Sequence, residues 1–501
     1  MAKILLLGMY PILSQRYAQD ERFVVYENDR FEYWVDHQQQ SMVVPNTLSD
    51  LNCLDQLALI RRKLSFWEPI WNRWIGEAAQ YELFRHEALL KVQNLVHQLR
   101  ALNIRNAIFF SSITHHVEYA LLEVACQVAG VKQIHLYGSL FGSNGRLVPM
   151  VQHQSIQDRQ ILGHVISTRD LKEDVLAFRD RYLSHKPPAH NEKPNRKTLS
   201  FAYAMYKIYV HGLKRSMKQG LQVVLGNKAF QVDPYLYYSP STFRALLFQQ
   251  RAALAYYKQT CQTALHVQTL LSQHNQLPII FAHYQPEATT FPEGDQFSNH
   301  VDVVLEIRRL GYRGPILYKE HPASWLYYSD ITGVSRVGMY RSISYYKQLQ
   351  ALGCVFVDLS FKLTKEYEST LFPITITGTI ALERSLVGLK TCCAGQPWFK
   401  GAPGIGDLCS TFGSGGFFYD TKNWRFNSQD SVDWFAGKLS KRTLNNCVGI
   451  ATGVVSNNPQ DQQEFMQEFE QLIVSLDQHE NQCFVEQEKN LEQQFVSNCY
   501  A

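Results

Sequence analysis

The chain has 501 residues, enough for two or three domains, and its 45% hydrophobic and 19% charged composition is that of a globular protein with a sizeable core. A net charge of +4 does not argue for a nucleic-acid partner; it suits an anionic small substrate or a weak attraction to acidic lipid. Ten cysteines without a CxxC pair are expected as buried reduced thiols, and no run approaches the ~20 apolar residues that span a bilayer, so a cytoplasmic chain is expected.

Residues 3–8 open the chain as a short buried strand. A helix is predicted over 85–100, where Leu89, Leu90, Val92, Leu95, Val96 and Leu99 fall in helical register. Asn106 to Ser112 reads as a second buried strand. A helix follows over 116–129, closed by Gly130, and Lys132 to Tyr137 reads as a third strand entering the loop GSLFGSNG. Strand, helix and strand in that order make a βαβ unit. Residues 184–200 are polar, contain Pro and lack a period, as a linker does. Residues 201–275 read as mostly helical. Strands are then predicted at 278–283, 315–320, 354–357, 373–377 and 389–393, and helices in the Gln- and Glu-rich stretch 457–501. The expected fold is α/β, with two Rossmann-like halves facing a cleft. The divisions are 1–183, a helical middle at 184–275, a nucleotide-handling half at 276–456 and a helical tail at 457–501.

Four motifs between Leu277 and Gly404 begin as apolar runs and end in polar, Gly or Pro residues, as strands do at a ligand crevice of a parallel sheet. Thr377-Gly378-Thr379-Ile380-Ala381-Leu382-Glu383 ends a strand on a glycine that lets backbone approach a ligand. Thr379 is expected as the N-cap of a helix whose free amides suit a phosphate. Glu383, one turn on, is placed to accept from ribose hydroxyls; an ordinary capped helix with a solvated Glu fits the same residues. In Tyr318-Lys319-Glu320-His321-Pro322, the proline holds His321 extended, where its ring can donate to a phosphate oxygen. Lys319 and Glu320 point to opposite faces of the sheet, one toward the crevice. His283-Tyr284-Gln285-Pro286-Glu287-Ala288-Thr289-Thr290 is too polar to follow a buried strand unless it hydrogen-bonds something, a ligand or its own turn.

The order HYQPEATT, KEHP, GT-x-x-x-E and PWFKGAPG resembles bacterial capsule and surface-polysaccharide biosynthesis proteins. That group contains β-Kdo transferases and related enzymes that use CMP-activated sugar acids. The resemblance covers about residues 278–405, a quarter of the chain. It implies that His321, Gly378, Thr379 and Glu383 hold the donor nucleotide, with Gln285 and Glu287 facing the cleft; Lys319 and Glu320 are donor-side candidates from their place at the strand end. In the first half, His115 matches the family His, His116 stands where Glu is usual, and Glu118 falls near the usual Asp. Glu118 is therefore the leading candidate for the catalytic carboxylate, with His115 and His116 as alternatives. Ile380-Ala381-Leu382 departs from the Ala-Gly-Trp common in relatives.

The expected activity is transfer of Kdo or a related sugar acid from a CMP-linked donor to a glycan or lipid-linked glycan acceptor. No DxD, HExxH or Cys/His pattern calls for a metal, and no cofactor beyond the nucleotide sugar is expected. A nucleotide-sugar epimerase on the same fold, or a non-catalytic assembly or export partner, are the alternatives. Lys193 to Lys218 interleaves seven basic residues with Tyr203, Tyr206 and Tyr209, a composition that suits either peripheral contact with an anionic membrane or a solvated interdomain helix.

Overall fold

The computed structural model describes residues 3–7, 17, 19–26, 33–36, 39–43, 58–64, 78–110, 117–142, 145–152, 158–184, 201–203, 205–206, 209–210, 240–274, 277–283, 293–297, 299–321, 324, 341–361, 370–408, 426–447, 456 and 458–476.

The first sheet is built on a parallel centre. Strands β1 (Lys3–Leu7), β2 (Phe23–Tyr26), β5 (Ile104–Phe109) and β6 (Lys132–Gly138) run parallel in the order β2-β1-β5-β6. Antiparallel strands extend both edges: β3 (Tyr33–Asp36) and β4 (Gln39–Val43) beyond β2, and β7 (Arg146–Gln152) beyond β6. Strand β8 (Gln160–Ile161) pairs with β7. On one face lie α1 (Ala78–Ala101) and α2 (Val117–Ala129), which pack Val92, Val96, Leu99, Leu121 and Val124 onto Leu5, Leu7, Ala107 and Phe109. The alternate residues Ile4, Leu6, Ile108 and Phe110 face the other way and are covered by the helix at 459–476 through Phe465, Phe469, Leu472 and Ile473. That is the period-2 alternation of a sheet buried on both sides. Gly130 ends α2 with a φ of +78°, a left-handed turn that suits glycine.

The second sheet is wholly parallel. Its strands are β9 (Leu277–Phe281), β10 (Ile316–Lys319), β11 (Cys354–Phe356), β12 (Leu371–Thr375), β13 (Thr391–Cys393) and β14 (Ile405–Asp407). They lie in the order β11-β10-β9-β12-β13-β14, which by first appearance in the chain is 3-2-1-4-5-6. Helices α4 (Pro240–Thr260), α6 (His300–Arg309) and α7 (Ile343–Ala351) bury Tyr257, Val303, Val304, Ile307 and Tyr346 on one face, against Ile280, Ile316 and Tyr318. Helix α5 (Ala264–Gln273) covers Leu277, Ile279 and Leu317 on the other. Asn299 and Ser342 cap α6 and α7 with side-chain oxygens that accept from the first-turn amides.

Two distinct helix-flanked sheets are thus the observed architecture, as the alternation of strand and helix patterns predicts. A fifth apolar cluster joins them. Phe141, Val148 and Met150 of the first sheet region and Val175 and Phe178 of α3 (Lys172–Leu183) pack with Ala381, Leu382 and Leu386 of α8 (Thr379–Leu386) and with Val432 and Phe435 of α9 (Ser428–Leu439). The chain then returns to the first sheet: β15 (Leu444–Asn445) pairs with β7, ahead of the helix at 459–476. Among the described residues no helix is long and apolar enough to cross a membrane.

Candidate functional site

In the 3-2-1-4-5-6 order the sheet reverses its direction of growth between β9 and β12. In sheets of this order the crevice outside the carboxyl ends of the strands at such a reversal is the usual ligand position. His283 follows β9 and Gly378 follows β12, so both stand at that reversal.

His283 is buried, and its ring ties the two strand ends together. Its Nε2 accepts from the Thr377 amide at 3.0 Å and lies 3.0 Å from Thr375 Oγ1. An accepting Nε2 puts the ring proton on Nδ1, an assignment made from the hydrogen-bond geometry. The His283 amide in turn donates to His300 Nε2 at 3.0 Å.

Gly378 packs on this ring. Its φ is −65°, which any residue adopts, so the demand for glycine here is one of space. A Cβ at position 378 would lie 2.6 Å from Thr375 Oγ1 and 3.3 Å from His283 Nε2. Gly378, not Thr379, is the N-cap of α8, and no side chain caps that helix. The sequence expectation of a Thr379 cap is corrected on this point: the threonine is the first helical residue, and its hydroxyl instead donates to Glu383 Oε1 at 3.4 Å. The amides of Thr379 and Ile380 therefore head the helix without a capping oxygen, the arrangement that favours an anion. Glu383 is half-buried on the same turn, and burial pushes its carboxyl upward against the opposing Thr379 hydrogen bond.

On the other side of β9 stands β10, whose end carries Lys319, Glu320 and His321. With β9 between them, His321 and Gly378 leave the same edge of the sheet two strands apart, about 10 Å at ordinary strand spacing. Lys319 is half-buried, and desolvation lowers its ammonium against the pull of Glu320 and Asp358. Glu320 has a different place from the donor contact expected of it. It is fully buried and its carboxylate is surrounded by protein donors: Arg341 Nε at 2.5 Å and Nη2 at 3.1 Å, the Tyr346 hydroxyl at 2.8 Å, the Tyr318 hydroxyl at 3.2 Å and the His321 amide at 2.7 Å. Burial alone would raise this carboxyl, but the Arg341 charge and these hydrogen bonds outweigh it and hold it low. Arg341 also donates through Nη2 to the His283 carbonyl at 3.1 Å. Glu320 and Arg341 thus fix the backbone at His283 and His321 from beneath the crevice. Behind them, His300 Nδ1, the Tyr345 hydroxyl and the Tyr318 hydroxyl continue the network at 3.3 and 3.0 Å.

The remaining expected residues divide simply. Gln285 and Glu287, and His115 and His116, lie outside the described residues. Glu118 is the second residue of α2, and its side chain lies outside the description. Among the described residues no group of three or more His, Cys, Asp or Glu is placed to hold a metal ion.

A polar cluster that no sequence motif announces lies beside the crevice and links the two sheets. Glu293 sits against the end of β13: its carbonyl accepts from the Gln396 amide, and a Cβ on Gly395 would meet it at 2.5 Å and Thr377 Cγ2 at 2.7 Å. Its carboxylate accepts from the Tyr137 hydroxyl at the end of β6 and from Arg159 Nη1 at 3.3 Å. Arg159 also donates to Gln152 Oε1 at 3.0 and 2.6 Å, and Gln152 Nε2 donates to Glu123 Oε1 at 2.7 Å. Glu123 is buried in α2, and desolvation pushes its carboxyl up to about 6 despite Arg159. The available signal was composition: Glu123 is an acid inside the apolar run ALLEVACQVA, and such a group needs a buried partner.

No protein-family model matches the chain, and no curated protein matches it. Among solved structures it is remotely similar to Thermosulfurimonas dismutans KpsC, a beta Kdo 2,7 transferase, at 12% identity over 72% of this chain and 84% of that one, with a TM-score of 0.28. A likeness at that score carries no argument for the activity.

Proposed function

We propose that this chain is a GT-B-like glycosyltransferase of bacterial surface-polysaccharide synthesis that uses a CMP-linked sugar acid, Kdo or a relative, and works at the cytoplasmic face of the membrane. The observation that carries the reading is the convergence at the sheet reversal: an uncapped helix start at Gly378, locked to His283, with His321 leaving the same sheet edge. The motif order of residues 278–405 supports the same reading from the sequence side.

In this scheme the phosphate of the donor lies on the α8 amides, Glu383 accepts from the ribose hydroxyls and His321 donates to a phosphate oxygen. The bond between the anomeric carbon and the phosphate oxygen breaks, and the phosphate leaves with the electron pair. The acceptor hydroxyl forms the new bond and gives its proton to a base of the first half, for which Glu118 leads and His115 and His116 follow. A monophosphate leaving group carries less charge than a diphosphate, so amides and an imidazole are a sufficient counterweight without a metal in this scheme.

A thermal-shift panel of CMP, UDP, GDP and TDP tests the proposal. CMP at 100 times its Kd should add about 2.7 kcal/mol to the folded state. His321→Ala should abolish that shift. Protection by UDP alone would overturn the sugar-acid donor, and protection by none of the four would overturn the nucleotide site.

A further inference from the structure

Phe201, Tyr203, Tyr206 and Tyr209 follow the linker and are among the described residues. They run alongside α4. Phe201 meets Phe248 edge-on with ring centroids 5.3 Å apart, and the Arg251 guanidinium lies 4.5 Å over the Phe201 ring. Arg244 Nη1 donates to the Tyr209 hydroxyl at 3.0 Å. Rising numbers in one segment meet falling numbers in α4, so the two run antiparallel. Arg244, Phe248 and Arg251 are spaced i, i+4, i+7 and share one stripe of the helix. Tyr203 and Tyr206 stack on each other at 6.0 Å. Tyr203, Tyr206, Tyr209 and Phe248 are 47%, 60%, 48% and 49% exposed, and among the described residues the exposed aromatic side chains all lie here.

Charge is just as uneven. From Lys193 to Pro286 the sequence holds eleven Lys and Arg and one acid, Asp233, while the rest of the chain holds 38 basic and 44 acidic residues. An exposed aromatic face set among cations, on an otherwise acidic molecule, needs a partner that is negative and accepts rings. Single-stranded nucleic acid needs ring faces for its bases. Here Tyr203 and Tyr206 each turn one face to the other and Arg251 covers one face of Phe201, so fewer ring faces are offered to bases. Ring edges and phenol hydroxyls suit the headgroup layer of a bilayer.

We propose that this face of α4 and the segment antiparallel to it form a docking surface for anionic phospholipid, with the rings among the headgroups and Arg244 and Arg251 on lipid phosphates. The surface is independent of the nucleotide reading and would hold the protein at a membrane whatever its chemistry.

Flotation of the full chain with vesicles tests this. It should rise with phosphatidylcholine vesicles that contain phosphatidylglycerol and not with phosphatidylcholine alone. Binding should be lost at about 1 M salt, where the Debye length is about 3 Å. Arg244→Gln with Arg251→Gln should weaken partition by about 20-fold. That variant should leave any nucleotide-induced thermal shift unchanged, which also shows that it folds. Tyr206→Trp should strengthen partition. Equal binding to both vesicle types, no binding to either, or wild-type partition in both variants would overturn the proposal. So would capture of single-stranded RNA that anionic vesicles do not displace.

Discussion

Removing either partner of the Glu320–Arg341 pair strands a charge where no water reaches it, since both side chains are at most 1% exposed. Glu320→Gln or Arg341→Met should therefore each cost about 3–5 kcal/mol in urea unfolding. Glu320→Gln combined with Arg341→Met should cost clearly less than the two losses added, and an additive double-mutant cycle would show that the pair does not act as a unit. Gly378→Ala is the second test at this scale. The added methyl meets Thr375 and His283, so we expect a loss of about 1–3 kcal/mol and loss of the CMP-induced shift. A variant that binds CMP as the wild type does would show that the crowding has no bearing on the site. Gly378, Thr379, Glu383 and His321 are legible in the sequence because each belongs to a short strand-end motif. Arg341 is not, for it lies 21 residues from Glu320 and only the fold brings the two together.

At the scale of elements, the helix expected at 116–129 is Val117–Ala129 and the strand expected at 315–320 is Ile316–Lys319, while β2, β3, β4, α3 and α9 lie where the sequence reading places no element. Strand β7 escapes such a reading because Pro149 sits inside it, and proline removes a ladder donor. It is tolerated opposite Leu136, while its carbonyl still accepts from Leu162. Helix α2 carries a pH prediction. Burial lifts the Glu123 carboxyl from 4.5 to about 6. Between those values the native chain keeps a proton that the unfolded chain has released. Stability therefore falls as pH rises through that window, by about 2 kcal/mol, and stays lower above it. Glu123→Gln should remove this part of the slope, so the variant gains on the wild type between about pH 4.5 and pH 6. An unchanged difference between the two proteins across that range would mean that Glu123 does not titrate there.

Across the whole molecule, the two sheets meet through an apolar contact around Phe141, Leu382 and Phe435 and through the polar link of Glu293 to Tyr137 and Arg159. These partners are 156 and 134 residues apart in sequence, which is why no local pattern reveals them. Arg159→Leu should leave Glu293 and Glu123 without their shared cation, cost about 3–5 kcal/mol and widen the molecule in small-angle scattering. An unaltered scattering profile would show that the apolar contact alone sets the arrangement. Two α/β units can be read from the sequence because each repeats strand and helix; the manner of their joining cannot, because it rests on single side chains far apart in the chain.

Hydrogen–deuterium exchange with and without CMP addresses the crevice most directly. The account predicts that CMP slows exchange at the amides of Thr379 and Ile380 and around His321, the ends of β12 and β10 on either side of β9. Slowing confined to the first sheet, or none at these amides while CMP is bound, would contradict it.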